Sequence, residues 1–355
     1  MTDIAIIGAG ISGLVCAQQL RQAGYSVVVV EKSRGVGGRV ATRRLQGTCA
    51  DHGACYIQPQ GELLSRFVKM LCDRHIIELW TDTVDQFHVD SGLRTQKPGL
   101  YYVAPAGMSA IAKFLTPDLE ILLDQRAIAL NTTPENTWRI TLESSQAELT
   151  AKAVVVAIPS PQAWDLLAPL EKSILDVGFL DRLSSVQFDP SISVMMGYPA
   201  NSQPLPNWKA LTFVDHADLG WIGFDSSKRL QSEQPHFVLQ SSAKLAQAHL
   251  ETPDLQPVGQ YMLEKAAESL ALPWLKNPEW MQIHRWRYAF PRLPLNVTCL
   301  SANTSPPLVC CGDWCGGNLI AGAMLSGLAA AGEIDHQLDH LLLENVNFLD
   351  LLEDV

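Results

Sequence analysis

The chain has 355 residues, 47% of them apolar and 18% charged, with 26 Lys+Arg against 37 Asp+Glu and a net charge of −11. At roughly 150 residues per domain this length predicts two domains, and the apolar fraction excludes a disordered or fibrous chain. The acidic balance argues against nucleic acid as the main partner, while a local basic pocket for a phosphorylated small molecule stays open.

Met1-Thr2-Asp3 carries no basic flank, so no signal peptide is read here. Ile4-Ala5-Ile6-Ile7 is a short apolar run, as expected of a strand buried on both faces. Gly8-Ala9-Gly10-Ile11-Ser12-Gly13 follows, and Leu14 to Ala23 reads as a helix stopped by Gly24. Val27 to Val30 is a second buried strand with Glu31 at its end. The expectation is a βαβ unit with parallel strands and a right-handed crossover. Gly8 would allow the tight turn, Gly10 the approach of a pyrophosphate, and Gly13 close helix–strand packing. The helix start offers free N–H groups to the anion, and Glu31, 18 positions beyond Gly13, can accept hydrogen bonds from a ribose diol.

That motif alone does not separate NAD from FAD. A second glycine cluster, Gly35-Val36-Gly37-Gly38-Arg39, begins four residues after Glu31. Its glycines would let the backbone fold against a second stretch of cofactor, and Arg39 can form a fork to phosphate oxygens or to a flavin edge. An NAD site has no use for a second clamp, so the segment points to FAD.

Ala153 to Ile158 is a third strand, and Leu308 to Cys311 a fourth, followed by Gly312-Asp313. Asn318-Leu319-Ile320 opens a helix to about Ala331, too short for the ~20 residues of a membrane span. Between these lie alternating segments such as Ser191–Met196 and His236–Gln240, the marks of a more open sheet. The expected architecture is α/β. A doubly wound Rossmann-type FAD-binding domain (1–75, 103–162, 296–355) is interleaved with a β-rich α+β substrate domain (76–102, 163–295). The acidic, leucine-rich tail from Glu333 is expected to pack on its own domain.

Eight cysteines lie at 16, 49, 55, 72, 299, 310, 311 and 315, without a C-x-x-C pair or zinc-finger spacing. No metal site is read, and the expectation is a soluble cytoplasmic protein with free thiols. In Met281 to Tyr288, alternation puts His284, Trp286 and Tyr288 on one strand face and Arg285 and Arg287 on the other. One set should face the flavin cavity: an aromatic-and-imidazole face to stack a planar ring, an arginine to meet a phosphate. The alternative is a plain core strand with solvated arginines. His52 reads as a loop residue near the cofactor.

Gly38-Arg39-Val40-Ala41-Thr42 resembles the G-G-R signature of the flavin monoamine oxidase superfamily. Together with Asp51–Ile57, Ala106–Ala110, Ala157-Ile158-Pro159, His284–Ala289 and Cys311–Cys315, it makes almost the whole chain resemble the renalase-like branch of FAD-dependent oxidoreductases, with a p-hydroxybenzoate-hydroxylase-type fold. The resemblance implies non-covalent FAD. Ser12 and Gly13, with Gly8, Gly10 and Ile11, would meet the pyrophosphate, Glu31 and Lys32 the ribose end, Gly38 and Arg39 the flavin. Gly53, Ala54, Cys55 and Tyr56 would line the ring, and Ala127 would set a backbone group on the adenine. Gly312 and Asp313 would hold the ribityl chain, and Asn318, Leu319 and Ile320 the N1/O2 edge of the flavin. It implies a small-molecule donor, NAD(P)H or an isomer, with reoxidation by O2 or another acceptor.

The chain departs from the family in two places. Members often read H-A-S-x-x-W-S where this chain has Gln240-Ser241-Ser242-Ala243-Lys244-Leu245-Ala246, and a Glu where it has Ala321. Alternatives are amine oxidation, whose aromatic cage has one wall where this chain has Leu319, or a flavoprotein using FAD in a non-redox role. Donor, acceptor and oligomeric state are not set by the sequence.

Overall fold

The computed structural model describes the chain except residues 46, 144–147, 171–173, 201–203, 230, 231, 233, 318, 339–342, 344–347 and 351–355. Two sheets dominate it. In the first, strands Thr2–Ile7, Val27–Val30 and Glu120–Leu122 run parallel on one side, and Glu148–Val156 and Leu308–Cys310 on the other. Ile4 sits between Ala153 and Val27. Trp138–Leu142 and Ala127–Thr132 add an antiparallel extension. The apolar runs read in the sequence are these central strands, and their side chains are buried on both faces.

Helices Ile11–Gln22 and Leu319–Gln337 cover one face of this sheet. They meet so closely that a Cβ on Gly327 would lie 2.3 Å from the Ser12 carbonyl oxygen. The first helix starts three residues before Leu14, and the last continues six beyond Ala331. On the opposite face, helices Ser160–Leu167 and Val177–Ser185 bury Leu166, Leu167, Phe179 and Leu183 against Val154 and Val156. In the tail, Phe348 and Leu349 are buried in the same core cluster as Ile4, Ile6 and Val29, and Asp350 pairs with Arg66 at 3.0 Å.

The second sheet has seven strands in the order Trp280–Leu293, Gln187–Gly197, His236–Ser241, Leu219–Gly223, Ala210–Val214, Glu78–His88, Leu93–Val103. Its alternating residues sort as period two requires. Ile192, Val194, Ile222 and Leu239 pack with Val258, Met262 and Leu263 of helix Gln256–Leu270. The other face, carrying Met195, Trp221 and Val238, belongs to the same core cluster as Ile4, Ile6 and Val29 of the first sheet. Among the described residues, no helix is long and apolar enough to cross a membrane.

Candidate functional site

The site begins at the first glycine motif. Gly8 has φ +110°, and a Cβ there would lie 2.7 Å from the Ala157 carbonyl oxygen. A Cβ on Gly13 would meet the Gly8 oxygen at 2.0 Å, so only glycine lets the helix start this close to the strand. Gly10 is different, for a Cβ on it would meet nothing within 4 Å. It caps helix Ile11–Gln22 without any side-chain hydrogen bond. The helix start, with buried Ile11 and Ser12, therefore offers N–H groups and a positive dipole end to an open space, which suits a phosphate.

The second glycine cluster lies along the first. The Gly37 N–H donates to the Ala9 carbonyl at 2.8 Å, and a Cβ on Gly38 would be 3.4 Å from the Gly10 Cα. Glu31 is buried at the strand end, and its carboxylate accepts from the Ala9 N–H and the Ser33 N–H, both at 2.8 Å. It thereby ties the first cluster to the segment that leads into the second. Lys32 reaches outward to Gln162 at 3.5 Å. The Gln125 N–H donates to the Glu31 carbonyl at 3.0 Å, which brings the segment leading to Ala127 to this end of the groove.

Arg39 lies farther along. Its guanidinium grips Asp313 in a fork, Nη1–Oδ2 2.8 Å and Nη2–Oδ1 2.6 Å, and donates to the Ala289 carbonyl at 3.0 Å. The Gly312 N–H donates to Ser326 Oγ at 3.0 Å, anchoring the last strand to the last helix. At that helix start Leu319 has φ +52° and is exposed, and Ile320 is half-buried. Asn318 lies outside the described residues. The open space at Gly10, the uncapped helix start and the charged Arg39–Asp313 pair fit FAD as the residues stand.

The loop His52–Tyr56 forms the next part. A Cβ on Gly53 would lie 2.0 Å from the Arg39 carbonyl oxygen, and the Ala54 N–H donates to that oxygen at 2.8 Å. Cys55 is buried with Sγ 3.2 Å from the Asp51 carbonyl, and burial pushes its thiol up to about 12. Tyr56 meets Tyr101 edge-on at 5.1 Å.

Strand register sets one row of the second sheet on this loop. His284 pairs with Ser193, Ser193 with Gln240, and Gln240 with Trp221, so their side chains share a face. Ser193 Oγ and Trp286 Nε1 both donate to the His52 carbonyl, at 2.7 and 2.8 Å, and Gln240 Nε2 donates to the Gly53 carbonyl at 2.9 Å. His52 stacks on Trp286 at 5.3 Å and 18°, and His284 lies 4.6 Å from His52. Burial, then His284 and Arg43, lower His52 to about 3; burial, then Arg43, lower His284 to about 4. Both imidazoles are neutral at pH 7.

Of the residues read from the sequence as pocket candidates, the structure brings His284 and Trp286 to the loop. Tyr288 packs edge-on against Phe188 at 5.6 Å. Arg287 is not brought there: it lies on the other face with Arg285 and pairs with Glu251. His52, read only as a loop residue, is at the centre of the cluster.

Sequence reasoning missed a buried ion network behind the loop. Asp51, Asp225 and Lys228 are fully buried, and Arg229 is nearly so. Lys228 Nζ is 2.6 Å from Asp225 and 3.4 Å from Asp51, and Arg229 Nη2 is 2.7 Å from Asp51 and 2.8 Å from Asp225. Burial pushes Asp225 up, but Lys228 and Arg229 outweigh it and hold the carboxyl well below its usual range. Two carboxylates balance two cations, and Asp51 also accepts from the Met108 N–H and Thr42 Oγ1. The only signal in the sequence was Lys228-Arg229 next to an apolar strand.

The family described as flavin containing amine oxidoreductase matches residues 85–335, and the NAD(P)-binding Rossmann-like domain matches residues 6–71. A 4,4'-diapophytoene desaturase of Staphylococcus haemolyticus is 27% identical over 123 residues, 32% of this chain and 25% of the desaturase. The chain's matches span a quarter or less of the length of such curated relatives. Among solved structures, the fold is similar to wild-type putrescine oxidase bound to putrescine (TM-score 0.69, 14% identity, 94% of this chain and 99% of that one). It is also similar to cyclohexylamine oxidase from Brevibacterium oxydans IH-35A (TM-score 0.69, 14% identity, 95% and 99%).

Proposed function

This chain belongs to the flavin-containing amine oxidoreductase family, and we propose that within it the protein is a renalase-like enzyme that takes a hydride from a dihydronicotinamide, NAD(P)H or an isomer. FAD, the cofactor such a family implies, would supply the hydride acceptor when bound. The chain's own part is to hold it and to place the donor. Gly10 and the helix start bind the pyrophosphate, Glu31 the ribose, Arg39 and Asp313 the flavin end. The loop Gly53–Tyr56 lines the ring, and Trp286 and His284 wall the space beside it. Hydride transfer requires the donor carbon within ~3–3.5 Å of the acceptor, so positioning is the protein's main contribution.

The observation that carries this reading is the charge state around the loop. An ammonium is held by a carboxylate or by an aromatic cage, and the two carboxylates behind the loop, Asp51 and Asp225, are both committed to Lys228 and Arg229. What remains is neutral and planar: His52, His284, Trp286 and Tyr56. Arg43, hydrogen-bonded to Gln282 at 3.4 Å and close enough to depress both imidazoles, supplies positive charge for a donor's phosphates. Leu319 stands where an amine cage would have an aromatic wall.

Amine oxidation is the second reading, favoured by the printed activities of the structural relatives. Incubation in air with NADH, NADPH, their dihydro isomers and a panel of primary amines, followed by product chromatography, tests both. Formation of NAD(P)+ supports the first reading, and aldehyde formation with no NAD(P)+ overturns it. We place the protein in the cytoplasm, a compartment that would keep its eight free cysteines reduced.

A further inference from the structure

Three neighbouring strands of the second sheet each send one donor to the ring loop. Ser193 Oγ and Trp286 Nε1 donate to the His52 carbonyl at 2.7 and 2.8 Å, and Gln240 Nε2 donates to the Gly53 carbonyl at 2.9 Å. Ser193 is fully buried between Ile192 and Val194 on an otherwise apolar stretch of strand. A hydroxyl in such a place is costly unless it is bonded, and its bond goes to the loop rather than to its own sheet. Ser191, two residues earlier on the same strand face, is also buried, and its Oγ makes no hydrogen bond.

Two consecutive carbonyls turned to one sheet fix the direction of the N–H groups that follow them. In a trans peptide N–H and C=O point opposite ways, so the Gly53 and Ala54 N–H groups are turned away from that sheet. The Ala54 N–H goes to the Arg39 carbonyl at 2.8 Å, on the second glycine cluster. The Gly53 N–H has no acceptor among the described residues. The residue is nevertheless pinched in place, since a Cβ on it would lie 2.0 Å from the Arg39 carbonyl oxygen and 3.3 Å from the Trp286 ring. Two donors on the His52 carbonyl polarise the 52–53 peptide and strengthen its N–H as a donor. We propose that Ser193, Trp286 and Gln240 are positioning residues, a latch from the second sheet that presents the Gly53 N–H to a carbonyl oxygen of the flavin ring. Reduction increases the negative charge on that oxygen, so the donor favours the reduced form. The latch rests on the placement of FAD along the two glycine clusters, and it is the same whichever donor supplies the hydride.

The midpoint potential of the bound flavin, measured by anaerobic equilibration with a reference dye, reads the latch without any substrate. Ser193→Ala should shift the equilibrium toward oxidised flavin about three- to ten-fold, which lowers a two-electron potential by about 15–30 mV. Trp286→Phe keeps a ring and loses the N–H, Gln240→Leu loses the amide, and both should shift it the same way. Ser191→Ala removes a buried hydroxyl from the same face without touching the loop, and should keep the wild-type potential. If Ser193→Ala does not fold or retain FAD, Trp286→Phe carries the comparison. An unchanged or raised potential in the folded, flavin-loaded variants overturns the latch, and so does an equal fall in Ser191→Ala. Either result leaves the donor reading standing, because neither a dihydronicotinamide nor an amine enters the measurement.

Discussion

Arg39 grips Asp313 through both guanidinium nitrogens, at 2.8 and 2.6 Å, and so joins the second glycine cluster to the end of the last parallel strand, 274 positions away. Asp313 is almost fully buried and Arg39 about one-third exposed. The sequence suggested that each would touch the flavin separately. In the fold they are one unit, and each holds the other in place for the cofactor.

Arg39→Ala should therefore cost both stability and flavin. Loss of a charge-assisted fork to a buried carboxylate is worth roughly 1.5–3 kcal/mol. Because the two groups act together, Asp313→Asn and the double variant should be non-additive in a double-mutant cycle, with coupling above ~0.5 kcal/mol. Urea midpoints and the flavin-to-protein absorbance ratio measure the two effects. Full flavin occupancy in Arg39→Ala would show that this end of the groove does not hold the ring.

Gly10 and Gly13 should fail in different ways. A Cβ at Gly10 meets nothing within 4 Å, so Gly10→Val should fold with near-normal stability and lose FAD to a blocked pyrophosphate site. A Cβ at Gly13 falls 2.0 Å from the Gly8 oxygen, so even Gly13→Ala should force strand and helix apart and yield little folded protein. Circular dichroism and flavin content on the two variants separate binding from packing.

His52 and His284 make stability depend on pH. Both have folded pKa values near 3 and 4, below the ~6.5 of the unfolded chain. Under pH 6.5 the unfolded state binds protons that the folded state refuses. Their contribution is present above about pH 6.5 and is lost as pH falls toward 4 for His284 and toward 3 for His52, with a limiting slope of about 1.4 kcal/mol per pH unit for each proton taken up. Urea midpoints from pH 7 to 5 should fall with this slope, and His52→Leu should flatten it. An unchanged slope would mean that His52 is charged in the fold.

Acid precipitation should release the flavin into the supernatant. Cys315 lies two residues beyond the Gly312-Asp313 turn, but it is buried, and burial pushes it up to about 12, so it has almost no thiolate for attachment chemistry. Colour that stays in the protein pellet would identify a covalent link.

What the sequence made legible is local. The glycine motif, Glu31 and the valine strand all lie within 31 residues, and each declares its role by spacing. The strands at 191–196 and 236–240 were likewise visible from alternation and lie inside Gln187–Gly197 and His236–Ser241. The rest depends on register between distant strands. Nothing in the chain near His52 announces that Trp286 will stack on it, and nothing near Asp51 shows that Lys228 and Arg229 will neutralise it from 177 and 178 positions away. Gln240 was visible only as a departure from a family pattern, and its contact with Gly53 gives that departure a physical meaning.

Anaerobic stopped-flow reduction of the holoenzyme separates the two donors most directly. At least one dihydronicotinamide isomer should bleach the flavin band, and primary amines should leave it unchanged. Trp286→Ala should slow that bleaching at least about ten-fold, a ~1.4 kcal/mol loss of positioning, while its FAD affinity stays within about two-fold of wild type. Rapid bleaching by an amine, with none by any dihydronicotinamide, would contradict the assignment.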